Sequence, residues 1–285
     1  MKFSIIVRTF NRKTTILRAI DSIFNQTYKN YEILIIDDCS TDGTRDYLKK
    51  KINDKRVKYF FKKKNIGHIK ASEFGLNIAK GDILCFLDSD DYWDRNFLSE
   101  HYKVHKKYKK IMCVYNNTLT LINKKKKRVY YSNFDGFCYK KALSNLYISS
   151  QIALSFKKNA WRKLKKLDYS ISREDDDLCL RLSKYFLFKH IDKDLSLAYL
   201  EAKQQVTSNK LKHAKDYEQL FNKYKKDINK FCTRYEIANH YFNISKKFYL
   251  SKDYEKSNTY IKMSLKYNLK IKSLIIFFIL LIRKF

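Results

Sequence analysis

Strand-like and helix-like segments alternate through the first 108 residues of the chain, and this alternation limits the fold more than any other feature. The predicted strands are Phe3 to Val7, Tyr31 to Ile36, Val57 to Phe61 and Ile83 to Leu87. The predicted helices are Thr14 to Phe24, Thr44 to Lys51, His68 to Ala79 and Arg95 to Tyr108. Such alternation predicts a parallel sheet with helices on both faces, and thus an α/β fold.

The rest of the chain divides into an irregular part and a helical part. Between residues 112 and 199 the pattern is less regular, with short strand-like pieces, a helix near Lys158 to Leu167 and a later helix that opens at Glu174, which suggests that the sheet continues in mixed form. These pieces are Met112 to Tyr115, Leu119 to Ile122, Val129 to Tyr131 and Ile152 to Phe156. From about residue 208 the pattern is helical and basic. We therefore expect an α/β domain over residues 1–207 and a helical appendage over residues 208–285.

The chain is strongly basic, with 61 Lys and Arg against 29 Asp and Glu and a formal net charge of +32. This surplus favours contact with phosphates, whether in nucleic acid, anionic lipid or a nucleotide substrate. The lysines form short runs scattered along the chain, which argues against a nucleic-acid-binding protein. A compositional bias of the genome explains the excess of positive charge equally well, since Lys, Asn, Ile and Tyr are abundant and proline is absent.

The six cysteines and the N-terminus bear on the compartment. No two cysteines form a CxxC pair or a metal-ligand spacing, so we expect reduced, structural thiols in the cytoplasm. The chain begins directly with the strand-like segment Phe3 to Val7, and we therefore expect no secretory signal.

Near the C-terminus, nine apolar residues from Leu274 to Ile282 precede Arg283 and Lys284. A membrane-spanning helix needs about 20 apolar residues, so this run is too short to cross a bilayer. An apolar helix flanked by basic residues suits the interface of an anionic membrane leaflet. The alternative is that the run packs on the helical appendage as ordinary core.

Carboxylates crowd the end of the fourth predicted strand, in the sequence Asp88-Ser89-Asp90-Asp91. Ligands of parallel α/β sheets bind outside the carboxyl ends of the strands, where these side chains lie. Two carboxylates spaced by one residue can turn to the same Mg²⁺ or Mn²⁺ ion, which completes its shell with water and substrate phosphates. The alternative is that Asp90 or Asp91 caps the following helix and the other carboxylates face solvent.

Six motifs, in this order and spacing, resemble family 2 glycosyltransferases of the GT-A fold over about residues 1–200. The motifs are Val7 to Arg12, Ile35 to Thr44, Asn65 to Gly67, Ala79 to Asp82, Phe86 to Asp91 and Arg173 to Arg181. The resemblance implies a Rossmann-like mixed sheet flanked by helices. It also implies an inverting enzyme that moves a sugar from a nucleotide sugar.

The resemblance implies roles for five residues at the donor side. Thr9 and Phe10 match the first loop that contacts the nucleotide, and Asp38 matches the acid that accepts a hydrogen bond from the uracil ring. Asp88 would face the ribose or the metal ion. Asp90 would be the principal ligand of Mn²⁺ or Mg²⁺ beneath the diphosphate.

A second acidic cluster, Glu174 to Asp177, opens a predicted helix. Acidic residues in a first helical turn offset the helix dipole, and this alone would explain them. By the resemblance, Asp175, six residues before Arg181, matches the general base of inverting members, with Glu174 or Asp176 as the fallback.

Two positions depart from the family pattern. Arg8 stands where members usually have proline, and Ser72 stands where they commonly have an arginine that faces phosphate. Serine cannot supply that positive charge. Arg8, Lys70 and His68 are the candidates to replace it.

The resemblance implies transfer from a UDP-sugar to a hydroxyl of a growing bacterial surface glycan, and the lack of the Gln-x-x-Arg-Trp element expected of processive synthases in the family favours the addition of a single sugar. The acceptor would be lipopolysaccharide or lipooligosaccharide, capsule or a lipid-linked oligosaccharide. We expect a cytoplasmic protein, peripheral on the inner face of the cytoplasmic membrane, with the anionic membrane surface as a partner and no nucleic acid.

Two alternatives to a glycosyltransferase remain open at this stage. A metal-dependent nucleotidyltransferase would share a similar sheet, although the glycine-rich loop expected after its first strand is missing from Arg8 to Lys13. A non-enzymatic protein that binds membranes or nucleic acid would use the net charge directly.

Overall fold

The computed structural model describes residues 1–122, 125–129, 133–199, 209–269 and 271–282. The chain forms two compact units. The first unit comprises Met1–Cys138, Ser149–Ser170 and Glu174–Leu200, and the second comprises Tyr139–Ile148, Ile171–Arg173 and Glu201–Phe285. The predicted boundary between residues 207 and 208 lies outside the described residues.

Within the described residues, one mixed sheet of nine strands forms the centre of the first unit. The strands are β1 (Phe3–Thr9), β2 (Tyr31–Asp37), β3 (Val57–Phe61), β4 (Ile83–Phe86), β5 (Tyr92–Trp93), β6 (Cys113–Ile122), β7 (Lys125–Val129), β8 (Leu154–Lys157) and β9 (Phe188–Tyr199). Their order across the sheet is β3-β2-β1-β4-β8-β6-β9-β5, and β7 pairs with β6.

The helices alternate with the strands in the first half and follow them in the second. They are α1 (Ile16–Phe24), α2 (Thr44–Lys51), α3 (His68–Ile78), α4 (Phe97–Lys107), α5 (Tyr139–Asn145), α6 (Lys158–Leu164), α7 (Glu174–Tyr185), α8 (Lys210–Phe231), α9 (Arg234–Leu250), α10 (Tyr254–Tyr267) and α11 (Ile271–Ile282). Helices α1 to α4, α6 and α7 belong to the first unit, and the others belong to the second.

The parallel half of the sheet lies where the sequence predicts it. β1 pairs in parallel with β2 and β4, and β2 pairs in parallel with β3. Every residue of β2 is buried, as is typical of a parallel strand that is covered on both faces. Apolar side chains of α1, such as Ile16 and Ile20, complete the core against these strands.

Between residues 112 and 199 the predicted elements were partly wrong. The pieces Met112 to Tyr115 and Leu119 to Ile122 belong to one strand, β6, because its polar middle pairs with β9 across a register shift. The predicted strand Ile152 to Phe156 begins instead as a 3₁₀ turn, Gln151–Ala153. Tyr131, at the end of another predicted strand, lies outside the described residues.

The helices of the second unit have an aromatic core of their own. Phe221 of α8 meets Tyr241 of α9 edge to face, and Phe248 of α9 stacks on Tyr260 of α10, with ring centroids 5.1 and 5.9 Å apart. A capping box at Thr233 begins α9. The apolar run near the C-terminus is helical, as part of α11. No helix among the described residues is long and apolar enough to cross a membrane.

Candidate active site

The carboxyl ends of β1, β2 and β4 meet at one edge of the sheet, because these strands are parallel neighbours. A backbone hydrogen bond from the Asp38 N–H to the Thr9 carbonyl (2.9 Å) joins the ends of β2 and β1. Phe10 follows β1, and Asp88 follows β4 by two residues. The structure therefore brings four of the five donor-side residues predicted from the sequence, Thr9, Phe10, Asp38 and Asp88, to the same edge.

The residues expected to contact a nucleotide differ in exposure. The Phe10 side chain is 46% exposed, whereas Thr9 and Asp38 are buried. The Asp38 carboxylate accepts hydrogen bonds from the backbone N–H groups of Ile66 (2.7 Å) and Gly67 (2.9 Å). Gly67 has a φ of 84°, which favours glycine because it has no Cβ. Asp38 thus fixes the loop before α3 against the end of β2.

Each carboxylate after β4 has a different partner. Asp88 Oδ1 accepts a hydrogen bond from Arg8 Nη2 at 2.8 Å. Asp90 Oδ2 lies 3.4 Å from Arg12 Nη2. Asp91 is buried, and its Oδ1 accepts a hydrogen bond of 3.0 Å from the backbone N–H of the last residue of β9. Asp91 therefore anchors β9, while Asp88 pairs with Arg8 of β1 and Asp90 lies near Arg12 in the loop that follows.

Burial makes this carboxylate cluster electrostatically unfavourable. Burial raises the pKa of Asp90, and the nearby Asp88 raises it further, although Arg12 partly offsets the effect. Burial also raises the pKa of Asp91 well above its ordinary value, and Asp88 and Asp90 add to that increase. Burial and the neighbouring carboxylates therefore disfavour the charged forms of Asp90 and Asp91, and a bound cation would favour them.

The donor set at this edge fits a hard divalent cation that takes most of its ligands from water and substrate. Asp88 and Asp90 supply carboxylate oxygens, which Mg²⁺ and Mn²⁺ prefer. In the part of the chain that the structure describes, no group of three or more His, Cys, Asp or Glu side chains is arranged to hold a metal ion. An ion bound here would therefore depend on the substrate for several ligands.

The first residue of α7, Glu174, is held through both of its carboxylate oxygens. Arg8 Nη1 donates to Oε1 at 2.5 Å, and His68 Nε2 lies 3.1 Å from Oε2. Burial alone would raise the pKa of Glu174, but Arg8 and His68 lower it to about 2. A carboxylate that stays ionised to such a low pH is a weak proton acceptor. Glu174 is thus suited to anchoring the helix rather than to taking a proton.

Asp175 differs from the other acids of this helical turn in its exposure. Glu174, Asp176 and Asp177 are buried, whereas Asp175 is partly exposed. A general base has to reach the proton of a substrate hydroxyl. Exposure therefore favours Asp175 over the two fallback residues as the group that meets an acceptor.

Arg181, which helped to mark this motif in the sequence, contacts the end of α6. Its guanidinium donates hydrogen bonds to the carbonyls of Lys166 (2.7 Å) and Leu164 (3.1 Å). It also lies 3.8 Å from Asp177, one helical turn earlier. Cations at a helix C-terminus are stabilised by the helix dipole. These contacts give Arg181 a structural role in joining α6 and α7.

The sequence left open which cation replaces the arginine missing at position 72. The structure shows that Arg8 reaches this position, since its Nη1 donates a hydrogen bond of 2.8 Å to Ser72 Oγ. Lys70 lies near the Tyr169 ring, at 5.6 Å from its centroid, and His68 pairs with Glu174. The sequence signals for this arrangement were Arg8 in place of the usual proline and Ser72 in place of the usual arginine.

Comparison with protein families decides between the classes left open above. The model of glycosyl transferase family 2 matches residues 4–164, more than half of the chain. The chain belongs to this family. It is therefore a glycosyltransferase, and the nucleotidyltransferase and non-enzymatic alternatives fall away.

Two named bacterial relatives are similar to about a third of the chain. The UDP-Glc:alpha-D-GlcNAc-diphosphoundecaprenol beta-1,3-glucosyltransferase WfaP of Escherichia coli is 47% identical over 90 residues, which cover 32% of the chain and 36% of WfaP. The putative teichuronic acid biosynthesis glycosyltransferase TuaG of Bacillus subtilis is 37% identical over 99 residues, which cover 34% of the chain and 39% of TuaG. Both matches span less than half of the relative's length.

Solved structures share the fold of this glycosyltransferase over nearly its whole length. S. aureus TarS 1–349 in complex with UDP-GlcNAc has a TM-score of 0.63 and 18% identity, covering 98% of this chain and 79% of TarS. The mannosyltransferase PcManGT of Pyrobaculum calidifontis, in complex with GDP-Man and Mn²⁺, has a TM-score of 0.65 and 15% identity, covering 96% of this chain and 78% of PcManGT. The predicted GT-A fold with C-terminal helices is confirmed.

Proposed function

We propose that this glycosyltransferase moves a single sugar from a UDP-sugar to a hydroxyl of a lipid-linked bacterial surface glycan, with inversion at the anomeric carbon. The observation that carries the proposal is the Arg8 guanidinium, which contacts both Asp88 after β4 and Glu174 at the start of α7. Two acidic clusters thus lie at one site. Inverting transfer needs one group to serve the leaving diphosphate and another to serve the nucleophile.

The donor nucleotide would lie on the loop after β1. The exposed ring of Phe10 would stack against the base, and the hydroxyl of the buried Thr9 would lie against the base as well. Asp38 would accept a hydrogen bond from the uracil N–H. Carboxylate oxygens have about four lone-pair sites in all, and the N–H groups of Ile66 and Gly67 occupy two of them.

The diphosphate would lie beside the carboxylates that follow β4. Asp90 would be the principal ligand of Mn²⁺ or Mg²⁺, and Asp88 would face the ribose or the same ion. The raised pKa of Asp90, caused by burial and by Asp88, supports a cation at this place. When bound, the ion supplies positive charge that stabilises the departing diphosphate.

Asp175 would act as the general base. It would accept the proton of the acceptor hydroxyl while that oxygen forms its bond to the anomeric carbon. The bond between the anomeric carbon and the diphosphate breaks in the same step, and its electron pair leaves with the nucleoside diphosphate. Glu174 would keep its negative charge throughout, because Arg8 and His68 hold it as an anion.

The composition of the second unit is evidence for an acceptor at a membrane surface. Residues 201–285 contain 19 Lys and Arg against 7 Asp and Glu, and Ile275 and Ile279 of α11 are exposed. Basic and apolar side chains together favour the surface of an anionic leaflet. The name of WfaP includes a diphosphoundecaprenol acceptor, which supports a lipid-linked glycan for this chain as well. We therefore infer peripheral binding at the inner face of the cytoplasmic membrane.

A donor screen tests the proposal. The purified protein is incubated with Mn²⁺ and each of a panel of UDP-, GDP-, CDP- and dTDP-sugars, and release of the nucleoside diphosphate is measured with and without anionic phospholipid vesicles. We expect hydrolysis of a UDP-sugar that chelation of the metal abolishes, and salt-sensitive sedimentation of the protein with the vesicles. Hydrolysis of none of the sugars would contradict the proposed reaction, and absence from the vesicle pellet would contradict the membrane contact.

A further inference from the structure

The largely buried Arg8 side chain contacts four different segments of the first unit. Its side chain is 15% exposed. Nη1 donates hydrogen bonds to Ser72 Oγ (2.8 Å) and Glu174 Oε1 (2.5 Å), and Nη2 donates to Asp88 Oδ1 and Gln151 Oε1 (both 2.8 Å). Each terminal nitrogen of the guanidinium thus holds one carboxylate and one neutral oxygen.

The charges around Arg8 explain why this arrangement is stable. A buried guanidinium is costly unless it is paired with carboxylates and hydrogen-bonded in a suitable geometry. Burial works against the charged form, but Asp88 and Glu174 raise the pKa of Arg8. The planar fork of arginine can bridge two carboxylates at fixed angles, which a lysine ammonium cannot do.

The two carboxylates that Arg8 joins belong to opposite sides of the proposed reaction. Asp88 follows β4 on the donor side, whereas Glu174 begins α7 and directly precedes Asp175. His68, at the start of α3, holds the second oxygen of Glu174. The N-terminus of α7 is therefore tied by side chains to the strand ends that form the donor side.

We propose that Arg8 is a positioning residue for glycosyl transfer. It holds Asp88 and the N-terminus of α7 at a fixed distance from each other, so that Asp175 faces the donor sugar. This inference rests on the proposed roles of Asp88 and Asp175. Arg8 also supplies, from the end of β1, the positive charge that Ser72 lacks. Since its four contacts take up both terminal nitrogens, Arg8 acts through the carboxylates rather than by binding phosphate itself.

The test compares two replacements of Arg8 for turnover and for nucleotide affinity. Arg8→Gln removes the charge, and Arg8→Lys keeps the charge but loses the fork. Small displacements of catalytic groups can cost about 100-fold in rate, so we expect kcat for hydrolysis of the UDP-sugar to fall by about that factor in Arg8→Gln. In Arg8→Lys, kcat should also fall by at least about tenfold, because one ammonium cannot bridge both carboxylates. The affinity for UDP with Mn²⁺ should change much less than kcat in both variants.

Loss of Arg8 alone leaves Glu174 buried without its main counter-charge, so the single variant can lose stability. The double variant Arg8→Gln with Glu174→Gln removes both charges of the Arg8–Glu174 pair, and its melting temperature provides the folding control. We expect this folded double variant to bind UDP and Mn²⁺ but to retain the low kcat of Arg8→Gln.

Three results would overturn the inference. The first is a kcat near the wild-type value in Arg8→Gln or in the double variant. The second is full activity in Arg8→Lys, which would show that charge alone matters. The third is loss of UDP affinity with an unchanged kcat at saturation, which would make Arg8 a donor-binding residue. A wild-type protein that hydrolyses no nucleotide sugar would instead contradict the proposed function itself.

Discussion

The two acidic clusters of the site, Asp88–Asp91 and Glu174–Asp177, have opposite electrostatics. In the first, burial and neighbouring carboxylates raise the pKa values of Asp90 and Asp91. In the second, burial is outweighed by Arg8 and His68, which lower the pKa of Glu174 to about 2. In the first cluster, Arg8 and Arg12 leave the pKa values of Asp90 and Asp91 raised, whereas in the second Arg8 and His68 stabilise the charged form of Glu174.

This difference separates two ways of using carboxylates at the same site. Asp88 and Asp90 are proposed to bind a cation together with a diphosphate. The negative charge of Glu174 is compensated by Arg8 and His68, which also fix its position. Its neighbour Asp175 is partly exposed in the first turn of α7. We infer that the first cluster binds the donor and that the second carries out proton transfer.

Among changes within the first cluster, the largest effect should come from Asp90→Asn. The substitution removes the proposed principal metal ligand, so Mn²⁺-dependent hydrolysis of the UDP-sugar should fall by about 100-fold or more. The matched control is Asp91→Asn, which makes the same change one residue later in a carboxylate that contacts β9 instead. Equal losses in the two variants would show that the cluster acts only through its total charge.

A smaller effect is expected on the stability of Asp91→Asn itself. Burial beside Asp88 and Asp90 raises the pKa of Asp91, so the folded protein binds this proton more tightly than the unfolded chain does. The resulting stability is present below the ordinary aspartate pKa and is lost as the pH rises through the folded-state value. At neutral pH without metal, Asp91→Asn should therefore raise the melting temperature by about 2 °C.

The pH dependence provides the control for this prediction. At a pH below the ordinary aspartate pKa, Asp91 is protonated in both the folded and the unfolded state. The wild-type protein and Asp91→Asn should then have the same melting temperature. A melting temperature that is lower in the variant at neutral pH would contradict the prediction. It would mean that the hydrogen bond to β9 needs the negative charge.

The sequence predicted the parallel half of the fold closely, because its strands are continuous apolar runs with clear ends. The predicted strand Val57 to Phe61 and the predicted helix Thr44 to Lys51 have the same bounds in β3 and α2. The strand ends then placed Thr9, Asp38 and Asp88 at one edge. Neighbouring parallel strands make such a placement a direct consequence of the topology.

The sequence did not predict β9, which runs through charged residues such as Asp192 and Lys193. It is held by pairing with β6 and β5, which lie about 70 to 100 residues earlier in the chain. Long-range pairing of this kind overrides local β propensity. The short strand β5 was missed for the same reason.

The partners of Arg8 could not be predicted from the sequence either. The ion pair with Glu174 joins residues 166 positions apart, and the one with Asp88 joins residues 80 positions apart. The sequence indicated only that Ser72 lacks a charge and that a nearby cation has to replace it. Which cation does so depends on the packing of β1, α3 and α7.

Asp175→Asn tests most directly whether the first cluster binds the donor and the second transfers the proton. The variant is measured both for sugar transfer and for UDP binding in the presence of Mn²⁺. Loss of a general base should lower turnover by about 100- to 10,000-fold. The affinity for UDP and Mn²⁺ should remain close to the wild-type value, because the donor is proposed to bind at the first cluster. Retained turnover in Asp175→Asn, or loss of UDP binding together with turnover, would contradict the account.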